Sequence, residues 1–123
     1  MTLDHLILDV ADRARSVRFY TAILGFTADG MDGPFAVIRV SADTTLLLAQ
    51  RATSGGAHLA FAMSRAEFDA AFARMRDAGV PYGGSFDTVG SSTGPNAETG
   101  ARGIGSALYC FDPDRHLIEI RYY

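Results

Sequence analysis

HLAFAMSRAEFDAAFARMRDAG, residues 58–79, decides the fold because it holds a strand, a capped helix and a stop signal in one run. His58 opens a short apolar strand. Ser64 and Glu67 stand at capping-box spacing, and Phe68, Ala71, Phe72 and Met75 follow the i, i+3, i+4, i+7 stripe of one buried helix face. Gly79 falls where a left-handed residue ends a helix, and Pro81 forbids continuation. The plan occurs a second time in HLILDVADRARSVRFYTAILG, residues 5–25, one residue shorter. There Asp12 is the expected N-cap, Val17, Tyr20, Ile23 and Leu24 the inner face, and Gly25 the stop.

Working outward, β signals follow each helix. Residues 35–40 and 45–50 flank the turn SADT, and residues 105–111 and 116–122 flank DPDR, so each pair reads as a hairpin around an Asp-bearing turn. Weaker extended segments are expected at 26–28 and 81–86. The order is strand, helix, then two or three strands, twice over, and each unit is expected to form a curved sheet with its helix on one side. Within the second unit, residues 83–105 hold seven glycines and no helical period, which predicts a long mobile loop of the kind that often serves as a lid. The loop lacks the GK[ST] of a phosphate-binding turn.

The 123 residues suit one compact domain, and 48% hydrophobic with 20% charged residues is globular composition. No apolar run is long enough to cross a bilayer, and the N-terminus carries acids where a signal peptide carries basic residues, so a cytoplasmic location is expected. Cys110 is the single cysteine. It excludes an intrachain disulfide or a Cys-rich zinc site, and its apolar surroundings predict an inert buried thiol. All 11 basic residues are Arg, which excludes lysine chemistry. Net charge is −3 and no basic block alternates with aromatics, so a small molecule is the expected partner and nucleic acid is not.

DPDRHLIEI, residues 112–120, then poses a chemical problem, because Glu119 stands between two isoleucines of a core strand. A buried carboxylate needs a cationic partner or a metal. His5 and His58 occupy the same place in the two repeats, so a pseudo-twofold arrangement brings them to equivalent positions about one axis. Superposing the last hairpins by their turn aspartates, Asp43 on Asp114, puts Leu48 at the place of Glu119. Two imidazoles and one carboxylate hold a divalent transition metal with coordination positions left open, although a strand histidine also occurs simply as a hydrogen-bonded core residue. Gln50, two residues past Leu48, is a candidate weak ligand or substrate contact, or a polar strand end. Arg102 is a candidate to close over an anionic substrate, and Tyr109, on the strand beside Glu119, to line the cavity. His116 is expected to pack or hydrogen-bond at the strand entrance, on the face opposite Glu119.

DHLIL with RSVRFYTAILGF after it, a second HLAFA and a closing DPDRHLIEI together resemble the vicinal oxygen chelate superfamily, which includes glyoxalase I, bleomycin-resistance proteins, fosfomycin-resistance enzymes and extradiol dioxygenases. The match spans essentially the whole chain. It implies an α+β fold of two tandem βαβββ modules, about 1–52 and about 55–123, forming a cup of curved mixed sheet. It also implies a homodimer, often with exchanged modules. Carried over by position, the metal ligands are His5, His58 and Glu119, and the ion is Fe, Mn, Zn, Ni or Co. Family chemistry engages two neighbouring substrate oxygens on that ion, in lyase, isomerase or dioxygenase reactions. The chain departs from glyoxalase I, whose fourth ligand falls where TTLLLAQ has Leu47 or Leu48. It departs from fosfomycin transferases by ending at Tyr123. The other function such a resemblance implies is non-catalytic sequestration of a small molecule or antibiotic, as in bleomycin-resistance proteins.

Overall fold

The computed structural model describes residues 1–123, which divide into two compact units, 1–55 and 56–123. The first contains β1 (His5–Val10), α1 (Arg13–Ala22), β2 (Thr27–Asp32), β3 (Phe35–Arg39) and β4 (Thr45–Gln50). The second contains β5 (His58–Ala62), α2 (Arg65–Asp77), β6 (Tyr82–Gly83), β7 (Asn96–Gly100), β8 (Gly103–Phe111) and β9 (Leu117–Tyr122). Each has one mixed sheet, in the order β1-β4-β3-β2 and β5-β9-β8-β6, with β7 also paired to β8. This is the α+β, tandem-module fold that the repeat predicts.

In both units the first strand lies parallel to the last, and the other pairings are antiparallel. Parallel neighbours need a long crossover, here a helix followed by further strands. The helices end as their sequences dictate. Asp12 accepts the Arg15 N–H in its side chain, and Ser64 with Glu67 forms the complete capping box. Gly25 and Gly79 adopt φ of 82° and 68°, where a Cβ would be strained.

The buried stripe of α1 differs from the expected one. Ser16, Phe19, Tyr20, Ile23 and Leu24 are buried while Val17 is half-buried. The spacing is a helical stripe that begins on a serine; the expected face shares Tyr20, Ile23 and Leu24 with it, but reading apolar residues alone puts Val17 in the place of Ser16 and passes over Phe19. In α2, Phe68, Ala71 and Met75 are buried, and Phe72 lies at the stripe's edge with its ring 5.0 Å from that of Tyr82.

Residues 83–105 are not one irregular loop. Tyr82 and Gly83 pair with β8, its carbonyl at Tyr82 accepts from Gly90 and Ser92 N–H at 3.0 Å each, and Asn96–Gly100 returns as a strand along Gly103–Ala107. Its glycines permit close packing. A Cβ on Gly83 would stand 2.0 Å from the Thr88 carbonyl oxygen, and one on Gly84 2.4 Å from the Asn96 side chain. A count of glycines suggests mobility, but here several are the price of compactness.

The capping box gives a direct check. Ser64→Ala leaves the Glu67 N–H without its side-chain acceptor and should lower unfolding free energy by about 1 kcal/mol. Urea denaturation should show the midpoint moving down with an unchanged slope.

Candidate functional site

The polar groups collect on one face of the second sheet. The register sets His58 and Ala60 of β5 beside Leu117 and Glu119 of β9, and Glu119 beside Tyr109 of β8. Arg121 follows on that face by strand alternation, and β7 adds Glu98 and Gly100 to it. On the opposite face Leu108, Cys110, Ile118 and Ile120 are all buried, and Tyr122 meets Phe68 of α2 edge to face at 4.9 Å. Burial pushes the Cys110 thiol up to about 12, with the Asp112 carboxylate adding to it, so this cysteine is a packing residue.

Glu119 is only 5% exposed, and it has two partners. Its Oε1 accepts from Arg121 Nη1 at 2.8 Å, and its Oε2 lies 3.2 Å from His58 Nε2. Arg121 is equally buried, donates from Nη2 to the Glu98 carbonyl at 2.9 Å, and packs its guanidinium 4.7 Å from the Tyr123 ring centre. Its Nε is buried with no hydrogen-bond partner. Tyr109 donates its hydroxyl to Glu98 Oε2 at 2.6 Å, and its ring centre lies 6.1 Å from that of His58. Burial, then the bond to Glu98 and the charge of Glu119, hold the Tyr109 phenol well above its ordinary range, so it stays a donor.

Two of the three expected metal ligands, His58 and Glu119, thus come together. Two donor atoms bound to one ion at about 2.0–2.2 Å stand roughly 3 Å apart, and the 3.2 Å between His58 Nε2 and Glu119 Oε2 fits that requirement. His5 lies in the first unit, where it opens β1 as His58 opens β5, each paired with the first residue of the closing parallel strand. Its Nδ1 contacts Asp4 Oδ2 at 2.8 Å, which leaves Nε2 as the nitrogen with a lone pair to offer. No three His, Cys, Asp or Glu side chains form a group that would hold a metal ion.

Other candidates fall elsewhere. The register pairs Ile7 with Leu47 and Ala60 with Glu119, so Leu47, not Leu48, occupies the place of Glu119. The two turns have equal length, but Asp43 sits at the position of Arg115 rather than Asp114, and aligning aspartates therefore displaced the comparison by one residue. Leu48 and Gln50 consequently lie on the face opposite His5. Gln50 Oε1 accepts the Arg13 N–H at 3.0 Å, helping to cap α1, and the side chain borders an open cleft of about 440 Å3 between α1 and β2–β4. Arg102 is exposed, with its guanidinium 4.3 Å from the Tyr123 ring centre and its N–H bonded to the Tyr123 hydroxyl. His116 is buried and its Nδ1 accepts from Ala57 N–H at 3.2 Å, at the entrance to β5.

Sequence reasoning missed Arg121 and Glu98. Arg121 was legible, since a cation two residues from Glu119 in a strand must share its face. Glu98 was not, because its strand lay hidden in a glycine-rich segment.

The chain belongs to the Glyoxalase/Bleomycin resistance protein/Dioxygenase superfamily, whose family model matches residues 2–120. It is 32% identical over 130 residues to Virulence protein STM3117 of Salmonella typhimurium, covering 98% of this chain and 83% of that protein. Among solved structures, Oxidase ChaP-H1 shares 31% identity with a TM-score of 0.83, covering 100% of this chain and 96% of the other. TnmS3, an antibiotic binding protein from Streptomyces sp. CB03234, shares the fold at 21% identity and a TM-score of 0.74, covering 99% and 95% of the two chains. The same fold is thus found in a protein described as an oxidase and in one described as an antibiotic binding protein.

The Tyr109 environment predicts an alkaline signature. Because folding favours its neutral form, that stabilisation is present below the ordinary phenol range near pH 10 and is lost as pH rises above it. In a spectrophotometric titration, the Tyr109 phenol should resist ionisation until the protein unfolds, and Tyr109→Phe should remove its contribution to that late step.

Proposed function

We propose that this protein is a divalent-metal-dependent enzyme acting on a small oxygenated substrate, with His5, His58 and Glu119 as the metal ligands. The observation that carries this reading is the His58–Glu119 pair, 3.2 Å apart on one strand face and compatible with a shared ion. His5, at the corresponding place in the first unit, supplies the third ligand. A bound divalent cation supplies Lewis acidity to two neighbouring substrate oxygens and leaves positions open for them.

The protein's own residues have separate tasks. Arg121 fixes one oxygen of Glu119, Tyr109 presents a protonated hydroxyl beside it, and Asp4 orients the His5 ring. Among lyase, isomerase and dioxygenase chemistry, the likeness to Oxidase ChaP-H1 along the full chain supports the oxidative branch. Iron and manganese are the ions that suit it best, and zinc, nickel or cobalt would point to lyase or isomerase work. We further propose that the working form is a homodimer. With exchanged modules, each site takes His5 from one protomer and His58 with Glu119 from the other.

Elemental analysis of protein purified without chelator or nickel resin tests the reading. About one transition metal per chain is expected, and it should be absent from a folded variant in which His5, His58 and Glu119 are all Ala. Glu119→Gln should lose the metal while remaining folded; unchanged metal content would remove Glu119 from the ligand set. Absence of metal from the wild-type protein, even after reconstitution with each ion, would favour small-molecule sequestration. Mixing His5→Ala with Glu119→Ala protomers distinguishes the dimer forms, since exchanged modules restore one intact site per heterodimer and unexchanged modules restore none.

A further inference from the structure

We infer that Arg121 is a positioning residue: seated in a socket made by the β7–β8 ribbon, it orients Glu119 so that a single oxygen, Oε2, is offered beside His58. The purpose of that orientation rests on the metal-ligand reading proposed above, whereas the orientation itself concerns only the protein's own side chains.

A guanidinium that served only to neutralise a carboxylate would engage both oxygens through two parallel bonds. Arg121 does not. Only Nη1 reaches Glu119, at 2.8 Å, while Nη2 is directed to the Glu98 carbonyl at 2.9 Å and the buried Nε makes no hydrogen bond. Leaving a buried N–H unpaired is unfavourable, so something other than the best ion-pair geometry sets the direction of this side chain.

The ribbon supplies that constraint. A Cβ on Gly100 would lie 2.2 Å from Arg121 Cζ and 2.4 Å from Nη1, and one on Gly105 would lie 3.2 Å from Nη2. The guanidinium therefore fills the space that side chains at these positions would use. Tyr123 covers it with its ring centre 4.7 Å away. The strand that provides the carbonyl is itself tied down, because the Glu98 side chain accepts from the Tyr109 hydroxyl on β8. With Arg121 immobilised on Oε1, Glu119 has one oxygen left, and it points to His58. A carboxylate held this way would offer a cation one oxygen rather than two.

Two effects of Arg121 on cation binding oppose each other. Its charge repels a divalent ion, so removing the charge alone would strengthen binding. Its hold on Glu119 presents a ligand, and loss of such supporting contacts typically weakens metal affinity ten- to hundredfold. Gly100→Ala separates them, because it retains every charge and backbone φ at Gly100 lies outside the left-handed region, yet the new methyl must displace the guanidinium.

The test is titration of the metal-free full-length protein with Co2+, read by visible absorption, for the wild type, Gly100→Ala, Arg121→Lys and Arg121→Met, with thermal unfolding of each metal-free protein alongside. Folded Gly100→Ala and Arg121→Lys, which keep the charge, should bind Co2+ about ten- to hundredfold more weakly, with an altered cobalt spectrum, and Arg121→Met, which also loses the repulsion, should weaken binding less. Equal or tighter Co2+ binding in folded Gly100→Ala would overturn the inference. Should an Arg121 variant fail to fold, Gly100→Ala decides the matter alone. If the wild type binds none of Co2+, Mn2+ and Zn2+, the metal reading fails separately. The positioning role is then judged from a crystal structure of metal-free Gly100→Ala: Glu119 turned away from His58 supports it, and an unchanged Glu119–His58 contact overturns it.

Discussion

The parallel pairing of first strand with last strand is the constraint on which each unit depends. It fixes which residue of the closing strand stands beside the opening histidine, and with a side-chain period of two it also fixes which residues share that histidine's face. In the second unit this puts Glu119 and Arg121 on the face of His58 and leaves Ile118 and Ile120 for the core beneath α2. A slip of one residue would exchange the sets, burying charge against the helix and exposing isoleucine. The apolar core and the polar face are therefore specified by the same register.

Much of this was legible in the sequence because the signals were local. Ser64 with Glu67, Gly25 and Gly79, and the two hairpins depend on neighbours within a few residues, and the internal repeat announced that one plan is used twice. What was not legible depended on registration between distant segments. Whether Leu47 or Leu48 corresponds to Glu119 is decided by pairing with β1, and a turn aspartate was a poor guide to it. Glu98 reaches the polar face only because β7 pairs with β8, which seven glycines concealed. Of the expected site, His58, Glu119 and Tyr109 lie on one face, while Gln50 lies on the helix side of the first sheet.

Glu119 poses a question of partnership, and Arg121 changes its answer. A carboxylate 5% exposed would be poorly tolerated alone, but removing one member of a buried ion pair typically costs about 3–5 kcal/mol. The Arg121 contact thus gives Glu119 a cationic partner within its own sheet. The second oxygen remains available to His58. One buried carboxylate thus divides its two oxygens between Arg121 and His58.

The closeness of Gly100 to the Arg121 guanidinium also has a bearing on descent. Any methyl at residue 100 competes for the volume the guanidinium fills, and any shorter residue at 121 leaves a void under the ribbon. The two positions, 21 residues apart in the chain, are therefore not free to drift one at a time. Lineages that keep the arginine should keep glycine opposite it, and lineages that lose the arginine should be released to carry larger residues at 100, so the pair should be inherited as a unit.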